Sequence, residues 1–225
     1  MTKYTAFIIE DHPLIIEAYK SAFNFLQEEG SFVSFDIITA NNCDSAIEII
    51  EDFSKKNKNI DIIFLDISLP PSKDKKILSG EDLGLKIKKL LPKSKIIIST
   101  SFNDNYRIYS IFKNINPEGF LIKNDITPKE LVTAIKEVIK EPPYYSKTVS
   151  KLLRNQLSNN FSLDDIDRKI LHELSIGTKI KDLPKIVHLS ISGIEKRRLH
   201  LKQVFNINGE SDRELILIAK EKGFI

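Results

Sequence analysis

Short apolar runs and helix-like segments alternate five times along the first 141 residues of this chain. The runs are rich in Ile, Val, Leu and Phe, as expected for strands that are covered on both faces of a sheet. The predicted strands are residues 5–10, 34–40, 60–66, 95–100 and 119–122, and the predicted helices are 14–27, 43–55, 81–91, 105–114 and 127–140. This alternation predicts an α/β fold with a five-stranded, parallel, doubly wound (flavodoxin-like) sheet, whose strands all end at one edge.

A small all-α unit is predicted to follow a pair of prolines. Glu141-Pro142-Pro143 ends the fifth helix, and the basic, polar residues 142–160 are predicted to form a partly structured linker with a short helix near 149–156. Ser162-Leu163-Asp164-Asp165 is a helix-start signal, and further helices are predicted at 164–175, 181–187, 191–205 and 211–222. The domains are therefore predicted to be residues 1–141 and 161–225, joined by the linker 142–160.

Composition narrows the class of protein. No apolar stretch approaches the roughly 18 residues that span a bilayer, and the first residues lack a signal-peptide pattern. We therefore expect no membrane attachment. Because Cys43 is the only cysteine, we also expect no intrachain disulfide and a place in the reducing cytoplasm. Residues 1–142 carry 19 Lys and Arg against 21 Asp and Glu, whereas residues 161–225 carry 12 against 10. This small basic excess in the last third permits nucleic-acid binding without demonstrating it.

Polar residues stand where the predicted strands end. Glu10 and Asp11 follow the first strand, Asp66 ends the third, Thr100 ends the fourth and Lys123 follows the fifth. Because parallel strands end at one edge, these groups are expected to meet in one shallow pit, with Asp66 open to solvent. Three unpaired acids repel each other, so a bound divalent cation is the natural explanation. The combination predicts a small phosphoryl site.

These motifs together resemble a two-component response regulator of the NarL/LuxR class. Residues 1–141 are similar to a receiver domain. Four segments carry this similarity: Ile9-Glu10-Asp11-His12-Pro13, Phe64-Leu65-Asp66-Ile67-Ser68, Ile98-Ser99-Thr100 and Gly119-Phe120-Leu121-Ile122-Lys123. The resemblance implies that Asp66 accepts a phosphoryl group from a sensor histidine kinase. It also implies an Mg²⁺ site formed by Glu10, Asp11, Asp66 and the backbone carbonyl of Ser68, phosphate sensing by Thr100 and Lys123, and an aromatic switch at Phe120.

The sequence departs from the receiver pattern in two places. Glu10 stands where the family usually has Asp, and residues 71–82 make the connection after the third strand longer than usual, which predicts an irregular, charged flap. The hydroxyl of Ser99 or Ser101 is an alternative to Thr100 if the strand register is off by one. His12 is interpreted as a helix-start residue rather than a ligand.

Residues 161–225 are similar to a LuxR-type helix-turn-helix domain. The segments that carry this similarity are Gly177-Thr178-Lys179, Leu189-Ser190 and Ala219-Lys220-Glu221-Lys222-Gly223. The helix after Ser190 is predicted to bury Ile194, Arg198, Leu201 and Phe205 and to enter the major groove of double-stranded DNA. The predicted DNA-binding residues are Lys196, Arg197, His200, Lys202 and Gln203, with Arg197 and Lys202 at phosphates. Pro184 requires a short helix that begins near Asp182, and Gly193 leaves no side chain at a usual contact position.

The expected function is phosphorylation-controlled transcription regulation, with a homodimer forming when the protein is phosphorylated. No enzyme activity is expected beyond assistance to its own phosphorylation and dephosphorylation. One alternative is a receiver whose helical domain docks another protein rather than DNA. Another is an aspartyl-phosphate phosphatase, although such enzymes usually place a carboxylate where Ser68 stands.

Overall fold

The structure is a computed structural model that describes residues 2–29, 33–102, 105–157, 163–207 and 211–225. The chain divides into two compact units. The first contains Met1–Phe102 and Ile111–Val149, and the second contains Asn103–Ser110 and Ser150–Ile225. The first unit is built on a sheet and the second is built from helices.

Six parallel strands form the sheet, in the order β2-β1-β3-β4-β5-β6. They are β1 (Thr2–Ile9), β2 (Val33–Ala40), β3 (Ile62–Asp66), β4 (Lys95–Thr100), β5 (Gly119–Ile122) and β6 (Tyr144–Tyr145). The predicted fold class is confirmed, but the prediction of five strands was wrong by one. The Tyr144 N–H donates to the Glu118 carbonyl and adds β6 beside β5 within the segment predicted as a linker. Two residues are too few for an apolar pattern to reveal.

Five helices alternate with the first five strands. They are α1 (Pro13–Glu28), α2 (Cys43–Lys55), α3 (Gly80–Leu90), α4 (Asn105–Ile115) and α5 (Pro128–Lys140). The start of α5 is as predicted, because the Thr127 side chain accepts a hydrogen bond from the Glu130 N–H and Pro128 lies in the first turn.

An apolar cluster packs α1 and α5 against the sheet, and the parallel register of β1 and β3 brings the ends of these two strands together. Tyr19 stacks on Phe64 with ring centroids 4.5 Å apart, and Phe23 meets Phe64 edge-on at 5.8 Å. In the pairing of β1 with β3, Ile9 lies opposite Leu65. The residues that follow these two, Glu10 and Asp66, are therefore neighbours at the carboxyl edge of the sheet.

Five more helices follow the sheet. They are α6 (Lys147–Leu157), α7 (Asp165–Ser175), α8 (Leu183–Val187), α9 (Ile191–Val204) and α10 (Asp212–Glu221). Pro184 lies in the first turn of α8, which begins one residue after the predicted start. His188 ends α8 in the left-handed conformation (φ 54°), and Ser190 caps α9 by accepting a hydrogen bond from the Gly193 N–H. The helix-turn-helix arrangement is thus formed by α8, a short turn and α9.

Candidate functional site

The edge where β1 and β3 end holds a compact group of acids. Side-chain ligand atoms of Glu10, Asp11, His12 and Asp66 all lie within 4.8 Å of one another. Glu10 and Asp66 are buried, and each is only 1% exposed. The predicted convergence of the three acids is therefore present, although the chemical role of each remains a prediction.

Lys123, which follows β5, bridges the two buried acids. Its Nζ lies 2.8 Å from Asp66 Oδ2 and 2.8 Å from Glu10 Oε2. Burial alone would lower the pKa of Lys123, but the hydrogen bonds to both carboxylates outweigh it and raise that pKa. Burial raises the pKa of Glu10, and the hydrogen bond from Lys123 offsets only part of this effect. The ammonium group thus neutralises part of the charge that the acids bring together.

Asp66 is held from two sides and is not open to solvent, contrary to the sequence-based expectation. Its Oδ1 accepts a hydrogen bond of 2.9 Å from the Ser68 N–H, while its Oδ2 pairs with Lys123. Its backbone is also crowded, because a Cβ on Gly80 would lie 1.9 Å from the Asp66 carbonyl oxygen. The Lys123 side chain therefore covers the carboxylate at Oδ2, and access to this atom requires Lys123 to move.

His12 belongs to the acid group, a contact that the sequence reading missed. Its Nδ1 lies 2.9 Å from Glu10 Oε1 and 2.8 Å from Asp11 Oδ1, and the hydrogen bond to Glu10 raises the pKa of His12. It also stands at the start of α1 but makes no capping bond with its side chain. The available signal was its position directly after two acids at a strand end.

Thr100 and Phe120 are both fully buried, Thr100 as the last residue of β4 and Phe120 as the second residue of β5. The Thr100 hydroxyl accepts a hydrogen bond of 3.2 Å from the Phe102 N–H. Ser99 points into the core instead, where its hydroxyl accepts a 2.6 Å hydrogen bond from Tyr19, so it is a poor alternative to Thr100. The Phe120 ring packs 5.1 Å from the Phe112 ring on α4, measured between centroids.

The carboxylate oxygens of this cluster are suitable ligands for a hard divalent cation. Glu10 Oε2 and Asp11 Oδ1 are buried and accept no hydrogen bond from the described part of the chain, although they lie within ion-pair distance of Lys123 and His12. Carboxylate oxygens are the ligands that Mg²⁺ prefers, and few protein ligands suffice for it. The cluster is therefore compatible with Mg²⁺.

The long connection after β3 forms no helix or strand, in agreement with the predicted irregular flap, but hydrogen bonds within it and to α2 hold it. The Ser72 N–H donates to the Ile77 carbonyl at 2.8 Å, and the Ser72 hydroxyl donates to Asp74. A hydrogen bond from the Lys76 N–H, joined by the one from Ser72, lowers the pKa of Asp74 to about 2. Lys73 ties the segment to α2 through its N–H, which donates to Asp44. Such side-chain to backbone bonds are not visible in charge composition alone.

The helix α9 has one buried and one exposed face, as predicted. Ile194, Arg198, Leu201 and Phe205 are buried, and Lys196, His200 and Gln203 are exposed. Arg197 is engaged elsewhere, because its Nη1 lies 2.7 Å from both Asp164 Oδ2 and Asp167 Oδ1. Lys202 lies 3.3 Å from Asp212 and its side chain is 12% exposed. Two of the five predicted DNA-binding residues are therefore paired with acids of the same unit.

Among the described helices, none combines the length and the apolar character needed to cross a membrane.

Comparison with known proteins gives three kinds of similarity. A family model described as the response regulator receiver domain matches residues 6–136. The oxygen regulatory protein NreC of Staphylococcus carnosus (strain TM300) is 23% identical over 228 residues, which cover 96% of each chain. NreC of Staphylococcus aureus (strain JH9) is 26% identical over 174 residues, or 72% of this chain and 76% of that protein.

Two solved structures have a similar fold. A structure of two RcsB dimers bound to two parallel DNAs has a TM-score of 0.62 at 19% identity and covers 97% of this chain and 98% of that one. RcsB from Salmonella enterica serovar Typhimurium, bound to promoter P1flhDC with the phosphomimetic BeF3−, has a TM-score of 0.61 at 20% identity. That match covers 96% of this chain and 97% of the other.

Proposed function

Since the chain belongs to the family of response regulator receiver domains, we propose that it is a two-component response regulator that is phosphorylated on Asp66 and controls transcription. Its receiver would be residues 1–141, its linker 142–160 and its DNA-binding domain 161–225. The observation that carries the proposal is the buried meeting of Glu10, Asp66 and Lys123 at one sheet edge. The similarity to NreC proteins along the whole chain and to DNA-bound RcsB supports the DNA output.

In the proposed reaction, an Asp66 carboxylate oxygen attacks the phosphorus atom of a phosphohistidine on a sensor kinase. The new bond joins Asp66 to phosphorus, and the bond from phosphorus to the histidine nitrogen breaks. Because Asp66 is only 1% exposed, Lys123 must first swing away from Oδ2. The ammonium then pairs with the transferred phosphoryl oxygens and offsets their charge.

Glu10, Asp11, Asp66 and the Ser68 carbonyl would hold Mg²⁺. When bound, the ion supplies further charge neutralisation at the phosphoryl oxygens. His12 contacts both Glu10 and Asp11 and keeps these carboxylates together. We assign the protein no enzymatic reaction other than assisting the phosphorylation and dephosphorylation of its own Asp66. It would act in the reducing cytoplasm, as its single cysteine indicates.

The conformational change on phosphorylation would begin at Thr100 and extend to the surface of the receiver. The Thr100 hydroxyl would donate a hydrogen bond to a phosphoryl oxygen and draw the loop after β4 inward. Phe120, packed on Phe112 of α4, would adjust with it. The rearranged surface would promote a homodimer, which places two α9 helices on paired half-sites of double-stranded DNA. Lys196, His200 and Gln203 would contact the DNA, whereas Arg197 and Lys202 would reach phosphates only by leaving their acids.

Mass spectrometry tests the phosphorylation step. The full chain is incubated with acetyl phosphate and Mg²⁺, beside the variants Asp66→Asn and Asp36→Asn. We expect wild type and Asp36→Asn, an exposed acid on β2, to gain one phosphoryl group, and Asp66→Asn to gain none. A wild-type chain that gains no mass, or an Asp66→Asn chain that does, would reject Asp66 as the acceptor.

DNA selection tests the output. The full chain with beryllofluoride and Mg²⁺ should enrich specific fragments from a random library. Because the basic excess of residues 161–225 is small, the helical domain has one alternative function, which is to dock another protein instead of binding DNA. If no fragment is enriched although acetyl phosphate does phosphorylate Asp66 in the first test, that alternative would be favoured.

A further inference from the structure

Leu199 is an apolar side chain on the exposed face of α9. It is 60% exposed, and its exposed neighbours on the helix are Glu195, Lys196, His200 and Gln203. Successive residues of a helix are about 100° apart, so Leu199 and Gln203 lie one above the other, a turn apart. Both face away from the side that buries Ile194. An apolar group therefore stands among the polar residues that would meet DNA.

The face that presents Leu199 is held in a fixed orientation. Arg197 joins α9 to α7 through Asp164 and Asp167, each at 2.7 Å. Arg198 joins α9 to α10 through Asp212 and also contacts Glu195 at 2.6 Å. The second contact draws the Glu195 carboxylate toward Arg198. A rigid support of this kind suits a contact that must distinguish one base from another.

The chemistry of the major groove limits what Leu199 can recognise. Base edges there present hydrogen-bond donors and acceptors, and their one apolar group is the C5-methyl of thymine. Resting on the proposed function, we propose that Leu199 packs on a thymine methyl and so determines part of the DNA sequence that the protein selects. Gln203, one turn of about 5.4 Å away, would bond an adenine within about two base pairs of that thymine.

Replacing thymine by uracil tests this assignment, because uracil lacks only the methyl group. The full chain with beryllofluoride and Mg²⁺ first selects its site from a random library. Versions of that site with a single uracil are then compared in binding to wild type, Leu199→Ala and Ile176→Ala. Ile176 is the control, since it is also apolar and exposed but lies at the end of α7, outside the helix that would enter the groove.

We expect uracil at one position of each half-site to weaken wild-type binding roughly threefold to fivefold, the effect of burying one methyl group. Leu199→Ala should bind the thymine site more weakly and lose this discrimination, whereas Ile176→Ala should keep it. Thermal unfolding should show that Leu199→Ala is folded, because the side chain is exposed.

The possible outcomes are distinguishable. If Leu199→Ala keeps the full preference for thymine, or if wild type has no such preference at any position, this inference is wrong while the DNA output stands. If the full chain selects no DNA at all, the proposed output itself fails.

Discussion

Glu10 holds the Lys123 ammonium group within the acid cluster. Its side chain is one methylene longer than the Asp expected from the receiver pattern, and its carboxylate reaches the Lys123 ammonium at 2.8 Å. The same ammonium holds Asp66. A cation at this edge would compete with Lys123 for the same carboxylate oxygens, because both need charged oxygen partners.

We expect Glu10→Asp to raise the Mg²⁺ affinity of the full chain about fivefold. The shorter carboxylate withdraws from Lys123, and weakening this buried ion pair by roughly 1 kcal/mol corresponds to about a fivefold change in affinity. Isothermal titration calorimetry with Mg²⁺ measures the change, with Asp36→Glu, a charge-conserving change at an exposed acid of β2, as the control. An affinity for Glu10→Asp at or below that of wild type would contradict competition by Lys123.

Individual residues differ in how far the sequence could place them. Glu10, Asp66 and Lys123 were predictable as neighbours, because apolar runs stop directly before them and parallel strands end together. The pairing of Arg197 was not, since its acids lie 33 and 30 residues earlier in the chain, on another helix. Helical periodicity says which face of α9 is exposed, but not which charges meet across two helices.

The connection between β3 and α3 is closed directly beside the phosphoacceptor candidate. The Gly80 N–H donates to the Ile67 carbonyl at 3.2 Å, so the long loop leaves and rejoins the sheet at one narrow point. Any side chain at Gly80 would overlap the Asp66 backbone. The position of Asp66 therefore depends on a glycine at the first residue of α3.

We expect Gly80→Ala to lower both the stability of the full chain and its rate of phosphorylation by acetyl phosphate. The added methyl meets rigid backbone, and an overpacking cost of about 3 kcal/mol is reasonable for such a site. Gly84→Ala is the matched variant in the same helix, where the methyl would meet the movable end of the Ile115 side chain at 2.6 Å. It should cost roughly 1 kcal/mol and leave the rate unchanged. Thermal unfolding and intact-mass kinetics measure both effects, and equal losses for the two variants would refute the role of Gly80.

Most elements were predictable because each is long enough to display a period. The strands β1 to β5 and the helices of both units follow from apolar runs and caps, within a few residues. The two-residue β6 and the hydrogen-bonded turn at Ser72 escaped, because both are stabilised by individual backbone bonds rather than by a repeated apolar pattern.

Pairing of two copies of the chain would require an exposed surface on each copy, and α10 offers one. The helix α10 buries Leu215 and Ala219 but exposes Leu217, which is 58% exposed. The resemblance to LuxR-type domains implies that this last helix pairs two copies. An exposed apolar residue at the middle of α10 is suited to such an isologous contact, in which each copy offers the same surface.

We therefore expect Leu217→Lys to prevent pairing of the helical domains on DNA. On a fragment with two half-sites, the beryllofluoride-treated variant should bind about a hundredfold more weakly than wild type, because the gain from two linked contacts is lost. On a fragment with one half-site the two proteins should bind alike, since α9 is unchanged. Ile176→Lys is the matched control, as Ile176 is equally apolar and 64% exposed but lies at the end of α7. Gel-shift titrations with both fragments measure these affinities. Undiminished binding of Leu217→Lys to paired half-sites would show that α10 does not join the two copies.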